Sequence, residues 1–482
     1  MLNDPSPRAA LLGFAFLTLV SAAAPANAQM VVGAADNEAR RLCGSGEPRP
    51  VIDGCTRIIP DPREPAEIRV LALQNRGYAY QQDGKLDQAI ADYAKALSTG
   101  SSSGAVNAKI YVNLGLMHAQ KGDQNQAVAD YGQALTLNPA LVSAYVNRAA
   151  IFMALAENAR ALADLDQAVR LKPNDPATLI SRGDIHAVMG DQDRAIMDFT
   201  QAISLDRSNV RAWRDRSFAY RARGEADKAA ADAAEAARLD PNSGDAHQSL
   251  GLSLQATGDA AQAIAEFGKA IELNPLDAQA VKARGDSYLV QGDRNRAIAD
   301  FSQAIRLDPK MVTAYNNRGV AYLGKSDWDA AIGDFTAVIA LSPGGSSAYL
   351  NRGEAYAAKG DRVHAIADFD QAIQLDPGLI EAHRQRAFLR EQAHDGRKAI
   401  EDYDLVIARE PSDAVALRGR GLARLHLHDV DGAIVDLTAA LVINREDALA
   451  YQFRSLAYSA KNDIRHALED DAAAQRLSGG GR

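Results

Sequence analysis

The chain has 482 residues, long for one compact core, so several domains or an extended repeat array are both open. Its formal net charge of −9 argues against nonspecific nucleic-acid binding and serves solubility. Hydrophobic residues make up 47% but aromatic ones only 6%, and the alanine-rich remainder with spread charges suits closely packed helices.

The first element is the stretch PRAALLGFAFLTLVSAAAPANAQ from Pro7. Arg8 precedes an apolar run that ends in small residues and Pro25, and Ala26-Asn27-Ala28 offers a cleavage point. This predicts a signal peptide over residues 1–28 and an exported chain, periplasmic if the source is Gram-negative and secreted otherwise. An uncleaved membrane anchor is the other reading, but the run is short for a full span. A lipoprotein needs a cysteine after the cleavage point, where Gln29 stands. No further candidate span follows, so the mature chain is expected to be soluble.

Residues 29–69 hold the only two cysteines, Cys43 and Cys55. ARRLCGSGEPRPVIDGCTRII reads as helix, Gly/Pro turn, helix. In an exported protein such a close pair predicts a disulfide, here stapling a helical hairpin. Two free thiols or a metal pair are the alternatives, and no histidine lies nearby to complete a zinc site. The segment is too short for a catalytic domain.

From there one period governs the chain. Ala89 in QAIADY is followed 38 residues later by Ala127 in QAVADY, and then every 34 residues by another alanine, through Ala467. The longer first step contains STGSSSG, a flexible insert over 98–104 by composition. Glycines such as Gly77, Gly285 and Gly319 precede their alanine by twelve residues. Aromatics such as Tyr93, Phe301 and Phe335 follow it by four, and prolines such as Pro309 by twelve. Agreement at these positions over twelve repeats resembles the tetratricopeptide repeat, a helix-turn-helix unit of this length.

The resemblance implies an all-α, right-handed superhelical solenoid of about twelve repeats over residues 70–477, with a flexible tail at 478–482. Small residues at Gly319 and Ala331 allow close helix approach, and Phe335 fills the space toward the next repeat. Gly122, Gly190, Gly258, Gly292 and Gly360 fall between the helices as left-handed stops. Asp123, Asp191, Asp259, Asp293 and Asp361 follow as N-caps. A single repeat cannot hide its apolar face, so repeats must stack and the ends must differ. Asp471 in the last aromatic position fits a solvated end. Cys55 in the aromatic position of VIDGCTRII marks residues 29–69 as a degenerate N-terminal cap.

No chemistry-bearing motif stands apart from the repeats. There is no Gly-rich phosphate loop before a helix and no nucleophile elbow, so no enzyme and no cofactor are expected. The best metal candidate is HLHDVD, with His426, His428, Asp429 and Asp431, but His428 occupies the inter-helix turn and Asp429 the cap position.

Binding candidates come from the first helices. An arginine recurs before the glycine position (Arg76, Arg318, Arg352 and others), with an aspartate 16 residues on. This reads as a charge pair, either between the helices of one repeat or across to a neighbour. Leu114 and Leu250 break the series, and Glu266 replaces the second acid. One residue earlier stand Asn75, Asn113, Asn147, Asn317 and Asn351. The family resemblance implies that asparagine here can bond the backbone of an extended peptide in the concave groove; the alternative is a bond to the adjacent helix. Arg211, Arg214 and Arg221 share one helical face with Phe218, and Lys282 extends it two repeats on. They could take carboxylates, or could be neutralised by Asp184, Asp245 and Asp286 in comparable positions. The family's carboxylate-clamp pattern is not reproduced, which argues against a chaperone-tail receptor.

These readings point to a non-catalytic scaffold or assembly factor that binds protein or peptide. An envelope- or glycan-associated binding protein and a non-catalytic targeting subunit of an enzyme complex are the alternatives.

Overall fold

The structure, a computed structural model, describes residues 37–100 and 103–479. The predicted signal peptide lies outside the described residues, as do Ser101 and Ser102 of the predicted insert and the last three residues of the predicted tail. All regular elements among the described residues are helices, 26 in number, and none is long and apolar enough to cross a membrane. They form two compact units, Met1–Gly258 and Asp259–Arg482. Within each unit, helices pair in hairpins, and the hairpins stack in chain order.

One repeat shows how the sequence builds the hairpin. The first helix spans Val312–Leu323 and the second Trp328–Leu341. Between them Ser326 takes a left-handed φ of 60°, and the Asp327 side chain accepts the Ala330 N–H to cap the second helix. The five turn glycines expected to be left-handed have φ of 80–87°. Ala156, His394, His428 and Asn462 adopt the same backbone without glycine. The stacking therefore imposes this turn even where the residue pays roughly 1 kcal/mol of strain. All five expected aspartate caps accept a backbone N–H three residues on.

Packing inside the hairpin depends on glycine. The seven aromatic side chains Tyr93, Tyr131, Phe199, Phe267, Phe301, Phe335 and Phe369 are under 2% exposed. Phe335 packs with Ala331 of its own helix and Ala355 of the next repeat. A Cβ on Gly319 would sit 2.8 Å from the Phe335 ring. Gly319→Ala is therefore expected to lower stability by ~1–3 kcal/mol through overpacking, outweighing a helix-propensity gain of ~1 kcal/mol. Gly333→Ala, in the second helix of the same repeat with nothing within 4 Å, should gain roughly that propensity. Denaturant titration of the two variants checks the opposite signs.

The N-terminal hairpin pairs Asn37–Cys43 with Pro48–Ile58. Cys43 and Cys55 are fully buried and joined by a disulfide, with their Cα atoms 4.7 Å apart. Here the close approach uses a glycine on the second helix: a Cβ on Gly54 would lie 2.5 Å from the Ala39 carbonyl and the Cys43 nitrogen. Three polar links fasten this hairpin to the chain that follows. Arg40 Nη2 pairs with Glu64 at 2.6 Å, Asn75 Nδ2 donates to the Cys43 carbonyl at 3.0 Å, and Arg76 Nη1 donates to the Thr56 hydroxyl at 2.9 Å. Removing the crosslink by Cys43→Ser with Cys55→Ser is expected to cost about 3 kcal/mol, from the loop of 12 residues it closes. Reductant-dependent melting of the wild type, absent in the double variant, checks it. At the other end the last helix runs Ile464–Gly479, two residues past the expected Leu477, with Asp471 exposed.

Candidate functional site

The recurring arginines are spent on the framework. All ten form two-pronged pairs with the aspartate of their own hairpin; Arg318 gives Nε to Asp334 Oδ2 at 2.9 Å and Nη2 to Oδ1 at 2.7 Å. These aspartates are only 2–6% exposed. In eight of the ten the remaining nitrogen also reaches the preceding repeat, adding a bond between repeats to the pair within the hairpin; Arg148 and Arg284 have Gly132 and Gly268 at that acceptor position. Arg318 Nη1 meets Ser302, Arg182 meets Asp166, Arg216 meets Thr200, Arg352 meets Thr336, and Arg454 meets Thr438. Each of these acceptors directly follows its aromatic-position residue, a regularity the sequence carries in residues of different identity. Thr56, next to Cys55, takes the same bond from Arg76. In the repeat with Leu114, His118 Nδ1 lies 2.6 Å from Asp130, and Gln126 adds a bond. Burial pushes the Asp130 carboxyl up, opposed by His118.

The asparagines divide into two groups. Asn75 is buried on the Cys43 carbonyl. Asn113 and the fully buried Asn147 lie beside the hydroxyls of Tyr93 and Tyr131, whose pKa values burial raises while these amides lower them. Asn75 and Asn147 are thus buried inside the array and Asn113 is half-buried. Asn317 and Asn351 instead form a connected strip. Lys282 pairs with Asp286 at 2.9 Å, Asn317 Nδ2 donates to Asp286 at 2.8 Å, Asn316 Nδ2 to Asn317 Oδ1 at 3.1 Å, and Asn351 Nδ2 to Asn316 Oδ1 at 3.1 Å. Three successive first helices are linked this way, each amide using its acceptor or donor on its neighbour.

The arginine face is a second strip, of alternating charge. Arg211 bonds Asp184 at 2.5 Å and Asp215 at 3.1 Å; Arg214 bonds Asp215 at 3.1 Å and Asp245 at 3.2 Å. Arg221 lies over the Phe218 ring, 5.3 Å from its centroid. Arg211 and Arg214 are thus matched by carboxylates, and Lys282 by Asp286. Burial, with the like charge of Asp215, pushes Asp184 up to about 7 against the pull of Arg211. A carboxyl raised in the folded state holds its proton more tightly there than when unfolded. Its contribution to stability is therefore full at acid pH and is lost as pH rises to about 7. Asp184→Asn should flatten that fall, measured as thermal midpoints from about pH 5 to about pH 8.

The metal candidates do not converge. His426 faces Glu391 at 3.2 Å, His428 sits in the left-handed turn, Asp429 caps Gly432, and Asp431 pairs with Lys461. Among the described residues no group of three histidine, cysteine or acidic side chains could hold a metal ion.

Tetratricopeptide repeat family profiles match residues 69–140, 142–175, 180–244, 249–310, 282–346, 316–380 and 386–449. The chain belongs to the tetratricopeptide repeat family. Among solved structures, a tetratricopeptide repeat protein from Parabacteroides merdae ATCC 43184 is 21% identical, with 52% of this chain and 98% of that one covered and a TM-score of 0.44. YrrB, described as a TPR protein with an unusual peptide-binding site, is 22% identical over 38% of this chain and 95% of its own, with a TM-score of 0.36. Yeast Tom70 is 17% identical over 86% and 100%, with a TM-score of 0.37. These likenesses carry nothing beyond the fold. No curated protein matches the chain in sequence.

Within this tetratricopeptide array, the first helices carry a position whose chemistry changes from repeat to repeat. The residue just after the glycine position is Asp184, Phe218, Asp286, Val320, Glu354, Phe388 and Leu456 in different repeats. Acid, aromatic and aliphatic side chains alternate there, while the flanking Arg–Asp tie and aromatic anchor recur almost unchanged.

Proposed function

We propose that the chain is a non-catalytic scaffold that captures protein or peptide on the exposed face of its first helices. The observation that carries this reading is the division of labour between positions. Framework side chains satisfy one another inside the array, whereas the position after each glycine changes its chemistry from repeat to repeat. In a repeat fold the recurring residues set shape, and specificity resides in those that vary. The charged strip through Arg211 and Arg214 lies on first helices of the first unit, and the amide strip through Asn317, Asn316 and Asn351 on first helices of the second. A ligand there meets pre-ordered polar groups, which lowers the entropic cost of binding.

We further place this activity outside the cytoplasm. The apolar leader ending at Ala28 and the buried Cys43–Cys55 bond support that reading, since such bonds persist in oxidising compartments. The experiment is partner capture in the native compartment with charge-insertion variants. Val320→Asp and Phe388→Asp should each reduce capture of a crosslinked partner roughly tenfold or more. Val363→Asp, on the second helix Arg362–Leu375, should leave it unchanged. Equal loss from all three would contradict the reading.

A further inference from the structure

In the first compact unit a residue just after the glycine position reaches the first turn of the next first helix. Asp184 shows the contact: it accepts from Arg211 Nη2 there. In the second compact unit the same pairing recurs with different partners. Glu354, on Ser346–Lys359, precedes Glu381, on Ile380–Gln392, by the same 27 residues that separate Asp184 from Arg211, and burial, with the like charge of Glu381, raises the Glu354 pKa. Among the described residues Glu354 has no hydrogen-bond or ion-pair partner. Arginines of this first helix and the next two are committed to other acids: Arg352 to Asp368, Arg384 to Glu381, Glu410 and Asp413, and Arg418 to Asp447. Where the first unit supplies an arginine, this repeat supplies a second acid.

The next steps of the same row are apolar and uncovered. Phe388 is 49% exposed and Val415, its counterpart in the next first turn, 53%. Leu449 and Leu456, on Ala448–Ala460, are 47% and 57% exposed. A large apolar row beginning at an unmatched carboxylate is complementary to one kind of ligand. We propose that the first-helix face of the last four repeats binds an extended peptide segment carrying a lysine or arginine next to large apolar side chains. The cation lies on Glu354 and the apolar side chains run along Phe388, Val415, Leu449 and Leu456. This rests on the first-helix reading above and gives it a partner chemistry. Burying a ligand cation there pairs the carboxylate that the array leaves alone, and covering the row removes apolar surface from water.

Fluorescence anisotropy with the full chain tests it, using two labelled probes. One is acetyl-Ser-Lys-Ser-Leu-Ser-Phe-Ser-Leu-amide, and the other carries Glu in place of Lys. The lysine probe should bind at least about tenfold more tightly than the glutamate probe. Glu354→Gln should erase that preference, and Phe388→Ser or Leu456→Ser should weaken the lysine probe about tenfold. These side chains are partly or largely exposed, and melting curves of each variant verify that the fold is kept. Equal affinity for the two probes, or a preference untouched by Glu354→Gln, overturns the proposal. So does a Leu456→Ser variant that changes self-association in sedimentation while leaving the probe bound, because the row then joins two copies of the chain. A partner crosslinked to Val320 in any of those cases would leave the first-helix reading intact; crosslinks confined to second helices would end both.

Discussion

Arg318→Leu is expected to destabilise the array by ~3–5 kcal/mol, far more than a surface ion pair is worth. The reason is what remains behind. Asp334 is 5% exposed, and both of its oxygens are satisfied by Arg318. Leucine fills the space of the aliphatic stem but offers no donor, so a carboxylate stays buried without a partner. The Ser302 hydroxyl of the preceding repeat loses its donor as well, so part of the cost falls on the stacking between repeats. Adding Asp334→Leu should recover most of the loss, because removing both members of a buried pair removes the desolvation penalty with the attraction. Denaturant titrations of the two single variants and the double variant measure the coupling. If Arg318→Leu costs less than ~1 kcal/mol, the tie is a surface pair and the framework role given to it is wrong.

Phe335→Ala is the second large effect, expected at ~3–5 kcal/mol. The ring has no exposed surface, packs against Ala355 of the next repeat, and lies against Gly319 of its own. Glycine cannot move a side chain in to fill the void, so the cavity should collapse poorly. The loss should concentrate in the repeat carrying Phe335 and the one after it, since each repeat contacts mainly its neighbours. Hydrogen exchange should show amides of Trp328–Leu341 and Ser346–Lys359 losing protection ahead of the N-terminal hairpin. Uniform loss along the chain would mean the array unfolds as one cooperative block.

Much of this framework was legible in the sequence because it repeats. Gly319, Ala331 and Phe335 occupy fixed offsets, and twelve copies make chance agreement untenable. The Arg–Asp pairing was legible for the same reason, down to its spacing. The third arm of the arginine was not, because its acceptor is a serine, a threonine or an aspartate. Chemistry unites those residues where identity does not. The asparagines show a different limit. One letter at one position has two fates, decided by residues far along the chain. Asn113 and Asn147 face a tyrosine of the preceding repeat, while Asn317 and Asn351 find Asn316 between them. Likewise the charge of Arg211 and Arg214 could not be judged until Asp184, Asp215 and Asp245 were placed beside them. The exposed row ending at Leu456 carried no sequence signal at all, since leucine reads as core until its burial is known.

The central claim is that ligands bind the first helices and that the second helices serve as backing. A photo-reactive amino acid placed at single sites in the chain tests it most directly, in the compartment where the protein resides. Val320, Phe388 and Leu456 sample the first helices, and Met197, Val363 and Val435 sample exposed positions of the second. The account predicts that the same partner is crosslinked from the first three sites and from none of the others. A partner captured from Val363 or Val435, with Phe388 and Leu456 silent, would contradict it.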